Sequence, residues 1–141
     1  MKLASRFSRL LATIIDTMVI SVITGIILLP FLIFKIGNPL IHQITIPIAG
    51  FILFYLINKK SLINEGQTIG KGVLKIKIVN KNYTSCSSNI LFKRYLVLFI
   101  PTYIPFIGAW LATINCLFIL NKNKQCLHDI VAKTIVVEVG K

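Results

Sequence analysis

The sequence predicts an all-α membrane protein of about four transmembrane helices, the last two a short hairpin, with a small cytoplasmic two-stranded β element. Three observations lead there. The 141 residues are 55% hydrophobic and only 14% charged, with a mean hydropathy of +0.81, more apolar than one soluble domain of this length needs for a core. The apolar residues fall into runs long enough to cross a bilayer. The charge is also lopsided: sixteen Lys and Arg stand against four acids, Asp16, Glu65, Asp129 and Glu138, a formal +12. A basic chain can bind nucleic acid, but these bases lie between apolar runs rather than on a polar domain, so no nucleic-acid partner is expected. They read as loops on the cytoplasmic side of the plasma membrane, facing anionic headgroups.

The first apolar run extends from Leu10 to Phe34 and predicts a helix over about 8–34. Lys2, Arg6 and Arg9 precede it and place the N-terminus in the cytoplasm. A signal peptide also begins basic and apolar, but this run is too long, contains an acid and lacks a small-residue cleavage site. Gly37, Asn38 and Pro39 predict a turn on the far side. A second helix follows over about 41–58, with Pro47 and Gly50 inside it, and Asn58, Lys59 and Lys60 end it.

Residues 59–88 are expected to form a cytoplasmic loop. The polar stretch 59–94 carries eight of the sixteen bases against the single acid Glu65. Within it, Leu74–Ile78 alternates as a half-buried strand does, and Asn80–Asn82 reads as a turn. The β-branched stretch Thr134–Val139 predicts a partner strand, which requires both strands on one side of the membrane. Tyr95–Leu120 could cross once or twice. Pro101, Pro105 and Gly108 favour a hairpin of helices over about 89–104 and 106–121. Lys122, Lys124, Lys133 and Lys141 in the tail 122–141 then keep the C-terminus cytoplasmic. The whole of 1–141 reads as one domain.

Asp16 is the most informative single residue. An acid within an apolar helix costs about 2.5–3.5 kcal/mol to insert, so it needs a partner or a task. It could bind a cation or proton, or lock helix packing through a buried hydrogen bond. Arg9, seven residues earlier, shares its helix face. Gly66-Gln67-Thr68-Ile69-Gly70-Lys71 fails as a phosphate loop, because three residues rather than four separate the glycines and Gly72 follows Lys71. Cys86, Cys116 and Cys126 show no paired spacing, and His42 and His128 are isolated, so neither a disulfide nor a metal site is expected. Ser21 with Gly25, and Gly108 with Ala112, have small-residue spacing that permits close helix approach. Tyr95, Tyr103 and Trp110 are candidate interfacial anchors. No nucleophile–base constellation is present, so no enzymatic activity and no cofactor are expected.

Three blocks resemble the RDD family, small membrane proteins named for one arginine and two aspartates. Arg9-Leu10-Leu11-Ala12-Thr13-Ile14-Ile15-Asp16 is similar to its opening helix, and Gly66–Lys71 with the following Leu74–Val79 to its central glycine motif and strand. Leu127-His128-Asp129-Ile130-Val131-Ala132-Lys133-Thr134 is similar to its closing signature, with Asp129 as the second aspartate. The resemblance implies Arg9, Asp16 and Asp129 as signature residues of a possible ion or proton site, with Gly66, Gln67, Gly70 and Lys71 as a cytoplasmic glycine motif. Some members of the family are linked to cation–proton exchange. Two positions depart from the pattern: glycine is usual where Lys133 stands, and a basic residue often stands at Gly72. Arg9 and Asp129 are expected to meet at the cytoplasmic boundary as a partly exposed pair worth about 0–1 kcal/mol. Four short helices enclose little room for a solvated path, so a homo-oligomer or a membrane-protein partner is expected.

Overall fold

The computed structural model describes residues 1–34, 38–100, 104 and 107–140. Two long helices dominate it, α1 (Arg6–Ile33) and α2 (Pro39–Glu65). At 1.5 Å per residue they measure about 42 and 40 Å, enough to cross a hydrocarbon core of about 30 Å. Within them, Arg6–Phe31 and Thr45–Glu65 each hold an 18-residue stretch whose mean hydropathy is 2.2 and 1.4 respectively. Met18, Val22, Ile26, Leu29 and Ile33 on α1, and Ile52 and Leu56 on α2, lie exposed. In water such a surface would be an aggregation liability; in lipid it is the ordinary outer face of a membrane protein.

The second helix overruns its expected end at 58 by seven residues. Lys59 and Lys60 mark where the chain leaves the apolar layer, but lysine is a good helix former. Buried Leu62 continues the packed face beyond them. Two shorter helices follow later in the chain: α4 (Ser88–Phe99) and α5 (Gly108–Leu117), the latter running into a 3-10 turn at Phe118–Leu120. Twelve and ten residues make about 18 and 15 Å, each short of a bilayer. The described helices thus supply two candidate spans, where the sequence suggested four. The expected hairpin bounds run through residues 101–103, 105 and 106, and with Gly37, Tyr103 and the side chains of His42 and Cys116 these lie outside the described residues.

The polar segments form one small assembly. A single turn of helix, α3 (Ile69–Val73), leads into β1 (Ile76–Asn80), and a second, α6 (Leu127–Val131), leads into β2 (Thr134–Glu138). The strands pair antiparallel, Ile76 opposite Glu138 and Asn80 opposite Thr134. Relative to the expected strand at Leu74–Ile78, the observed one starts two residues later, because Lys75 adopts a left-handed backbone (φ 52°) that no strand can include. The turn after Asn80 is present, closed by the Tyr83 amide donating to the Asn80 carbonyl at 2.8 Å. The free edge of β2 is covered by the N-terminus: Leu3 bridges Val137, and the Ala4 amide donates to the Val136 carbonyl at 3.0 Å. The N-terminus, the central loop and the C-terminal strand therefore lie together.

The core joins this assembly to the helices through Ala12, Phe54, Leu62, Ile76, Ile78, Leu91, Tyr95 and Val136. Phe54 stacks obliquely on Tyr95 (4.9 Å between ring centres) and on Phe99 (5.5 Å). Tyr95 is 2% exposed and is a core residue rather than an interfacial anchor, whereas Trp110 is 73% exposed. Among the described residues the Ser21 and Gly25 pair marks no close approach, since a side chain at Gly25 would meet none of them within 4 Å.

Candidate functional site

Two buried carboxylates organise the junction between helices and sheet. Asp16 lies on the α1 face that packs against α3, together with Arg9 and Ala12, the spacing expected for one side of a helix. Its Oδ2 accepts from the Thr68 hydroxyl at 2.5 Å and faces Lys71 Nζ at 3.6 Å; its Oδ1 accepts from the Gly70 amide at 2.7 Å. Thr68 is the N-cap of α3, so the acid meets the positive end of a helical turn. Lipid is not its partner: it is 7% exposed and wrapped by the glycine motif.

The glycine motif explains that wrapping. A side chain at Gly70 would run into the Ala12 carbonyl and lie 3.1 Å from the Asp16 carboxyl carbon, so only glycine lets α3 lie this close to α1. Gly66 has φ +70°, and a side chain there would strike the Ile78 carbonyl. Its own carbonyl accepts from the Ile78 amide at 2.8 Å. Gln67 Nε2 donates to the Ile76 carbonyl at 3.0 Å, and Asn58 Oδ1 accepts from the Ile69 amide at 2.9 Å. Lys71 is buried, and its ammonium is pushed down to about 8, first by desolvation and then by Arg94.

Asp129 is the second centre, and its surface exposure is 0%. The expected meeting with Arg9 takes place: Arg9 Nη2 donates to Oδ2, and Arg9 Nη1 donates to the Lys124 carbonyl. The pair is buried rather than partly exposed, because Arg94 arrives from α4 and closes the other side. Arg94 Nε and Nη2 donate to Oδ1 at 2.9 and 2.5 Å. The Cys126 amide donates to Oδ2 at 3.1 Å, completing a capping box at the start of α6. Burial alone would raise this carboxyl, but Arg94 and Arg9 outweigh it and hold the group well below the usual carboxylate range. His128 Nδ1 donates to Asn115 Oδ1 at 3.1 Å, which leaves Nε2 to accept from Arg94 Nη2 at 3.3 Å. Protonation would set two donors against each other. Burial and then Arg94 accordingly hold the imidazole down at about 3.

Cys126, His128 and Asp129 offer donor atoms within 4.8 Å of one another, a proximity that their sequence separation from other cysteines and histidines did not suggest. Both oxygens of Asp129 are already engaged by guanidinium groups, and a metal ion would face two positive charges there. The set functions as an ion-pair cluster.

A comparison with family models matches the RDD family over residues 3–133, nearly the whole chain. The chain belongs to the RDD family. No match is found among curated proteins or among solved structures. The signature residues of this RDD protein form two clusters: Asp16 holds the central glycine motif, and Arg9 with Asp129 holds the closing helix. Arg94 joins the second cluster without having been singled out from the sequence, where Lys93-Arg94 resembled the topology charges beside an apolar run. Thr68, Asn58 and Asn115 were likewise legible only as loop or helix polar residues.

Proposed function

We propose that this RDD protein is a multi-pass protein of the plasma membrane that takes part in cation or proton transport, with Asp16 and Lys71 as the exchanging pair. The observation that carries this reading is a buried acid–base pair on the wall of a cleft of about 280 Å³ between α1, α2 and α4. Thr13, Thr17 and Ser21 line the cleft with hydroxyl oxygens. A lysine whose ammonium form is disfavoured can release its proton near pH 8. Asp16 then keeps its two hydrogen bonds but lacks a counter-charge, which a small cation can supply. The shared assembly of N-terminus, β1 and β2 supports an even number of crossings between the strands. We assign α4 and α5 to a hairpin that crosses twice, with both termini cytoplasmic, and expect self-association to enclose a path. Flux in proteoliposomes is the test. Wild type should show flux with a pH dependence centred near 8, and Asp16→Asn at matched insertion should abolish it. Undiminished flux in Asp16→Asn, or none in wild type, would defeat the proposal.

A second reading is a non-transporting scaffold or accessory subunit. It is favoured by the completeness of the pairing, since each carboxylate oxygen of Asp16 and Asp129 already has a donor. It expects no flux in wild type and crosslinking to a larger membrane protein.

A further inference from the structure

A second cavity, of about 450 Å³, opens beside the Asp129 cluster between the start of α1, α4 and the Phe118–Leu120 turn. Four cationic side chains line it, Arg6, Arg9, Lys71 and Arg94, and no carboxylate does. Asp16 and Asp129 stand behind this wall and balance two of the four charges. Arg6 finds no acid among the described residues; it donates to the backbone carbonyls of Ile119 and Leu120, at 3.1 Å each, and of Asn121, at 3.4 Å. The decisive group is Arg94. It is 2% exposed, yet its Nη1 has no hydrogen-bond partner among the described residues. A buried guanidinium donor left unmade is a large penalty unless something outside the chain accepts from it.

The rest of the lining says what kind of anion fits. Phe7, Leu10, Leu98 and Leu120 form an apolar wall, with Phe7 68% and Leu10 56% exposed on a helix long and apolar enough to cross a bilayer. A free inorganic anion would satisfy the arginines and leave this wall uncovered. A molecule with an anionic head and a hydrocarbon tail satisfies both halves, and the bilayer supplies one at the level where basic and apolar residues meet. We propose that this cavity is a discrete binding site for an anionic phospholipid, with its phosphodiester on Arg94 and Arg6 and the start of an acyl chain against Phe7 and Leu10. Bound there, the headgroup brings the four cations closer to balance and braces α1 against α4 next to the Asp129 cluster. The site rests on the membrane reading of the chain but not on transport.

The test uses the purified full chain in nanodiscs. Thermal unfolding and native mass spectrometry are compared in zwitterionic lipid alone and with added phosphatidylglycerol, and again with inorganic phosphate or glycerol phosphate at equal concentration. Phosphatidylglycerol should raise the melting temperature and remain as one retained lipid per chain, while the soluble phosphates should do neither. Arg94→Lys keeps a charge for Asp129 but removes the free donor, and should weaken retention about tenfold, the equivalent of one charge-assisted hydrogen bond. Arg6→Ala leaves the buried pairs intact and should weaken it in the same direction. Equal stabilisation by zwitterionic and anionic lipid would overturn the site, as would full reproduction of the effect by inorganic phosphate. Wild-type retention in both variants would also overturn it. A chain that stays monodisperse without detergent or lipid would instead overturn the membrane reading itself.

Discussion

Asp16 and Asp129 are both buried acids in the same junction, yet their surroundings differ in stoichiometry. Asp129 stands between two guanidinium groups, neither of which can give up its proton, and is closed off from solvent. Asp16 faces one lysine, a hydroxyl and an amide, and borders an open cleft. The first arrangement has one stable charge state and acts as a lock. The second contains a cation that can discharge, so it can change partners without leaving an unpaired arginine behind. Of the two centres in this chain, only the one at Asp16 therefore has a counter-charge that can be lost near pH 8.

Neutralising each acid separates them most sharply. Asp129→Asn leaves two buried guanidiniums without their counter-charge and is expected to destabilise the protein by about 3–5 kcal/mol, the range for breaking a buried ion pair from one side. Asp16→Asn leaves a single lysine that can shed its proton, and the amide still accepts one hydrogen bond, so a loss of about 1–3 kcal/mol is expected. Unfolding in detergent, followed by tryptophan fluorescence at Trp110 or by circular dichroism, measures both. Equal losses would break the distinction between lock and exchanger.

The two centres should also respond to opposite ends of the pH scale. His128 is held down at about 3, below its ordinary 6.5, so between those values the unfolded chain binds a proton that the folded chain does not. Stability is therefore lost as pH falls from about 6.5 to 3, by up to about 1.4 kcal/mol per pH unit for this group. Asp129 adds its own loss once the pH falls below the usual carboxylate range. Lys71 works in the other direction. Its folded value of about 8 lies below the ordinary 10.5, so the folded chain releases its proton first and stability rises between those two values. Melting temperatures across pH for His128→Gln and Lys71→Met check this: the first should flatten only the acid limb, the second only the alkaline one.

Much of this was legible from residue types. Hydropathy located α1 and α2, period-two alternation and β-branching located the strand pair, and the spacing of Arg9 and Asp16 put both on one helix face. What escaped was decided by tertiary contact. Arg94 lies among apolar residues and has the same sequence appearance as a topology charge, and only the arrival of α6 gives it Asp129. The Asp16 partner set comes from a loop more than fifty residues away, at Thr68, Gly70 and Lys71. A periodic pattern cannot report which loop covers a helix face. The burial of the Arg9–Asp129 pair escaped for the same reason, since a pair at the end of a helix looks exposed until a third element covers it.

The smallest expected effect concerns the departure from the family pattern at Lys133. The turns around the glycine motif and around Asp129 both need left-handed backbone, and glycine supplies it at only one position. Gly66 adopts φ +70° without strain, whereas Lys75 after α3, and Lys124 and Lys133 on either side of Asp129, hold φ 52°, 51° and 54° with side chains attached. A non-glycine residue in that region costs about 1–2 kcal/mol, and glycine returns part of this through greater freedom in the unfolded chain. Lys133→Gly should therefore stabilise the protein by about 0.5–1 kcal/mol and raise the melting temperature by about 2–4 °C. The strand that follows would keep its register. The physical reason glycine suits this position is then the backbone alone, because the Lys133 amide bonds the Ile130 carbonyl at 3.1 Å whichever side chain is present. A destabilised Lys133→Gly variant would mean that the lysine side chain itself contributes to the tail, and would move the Asp129 centre from a backbone-defined lock to one that also depends on surface charge.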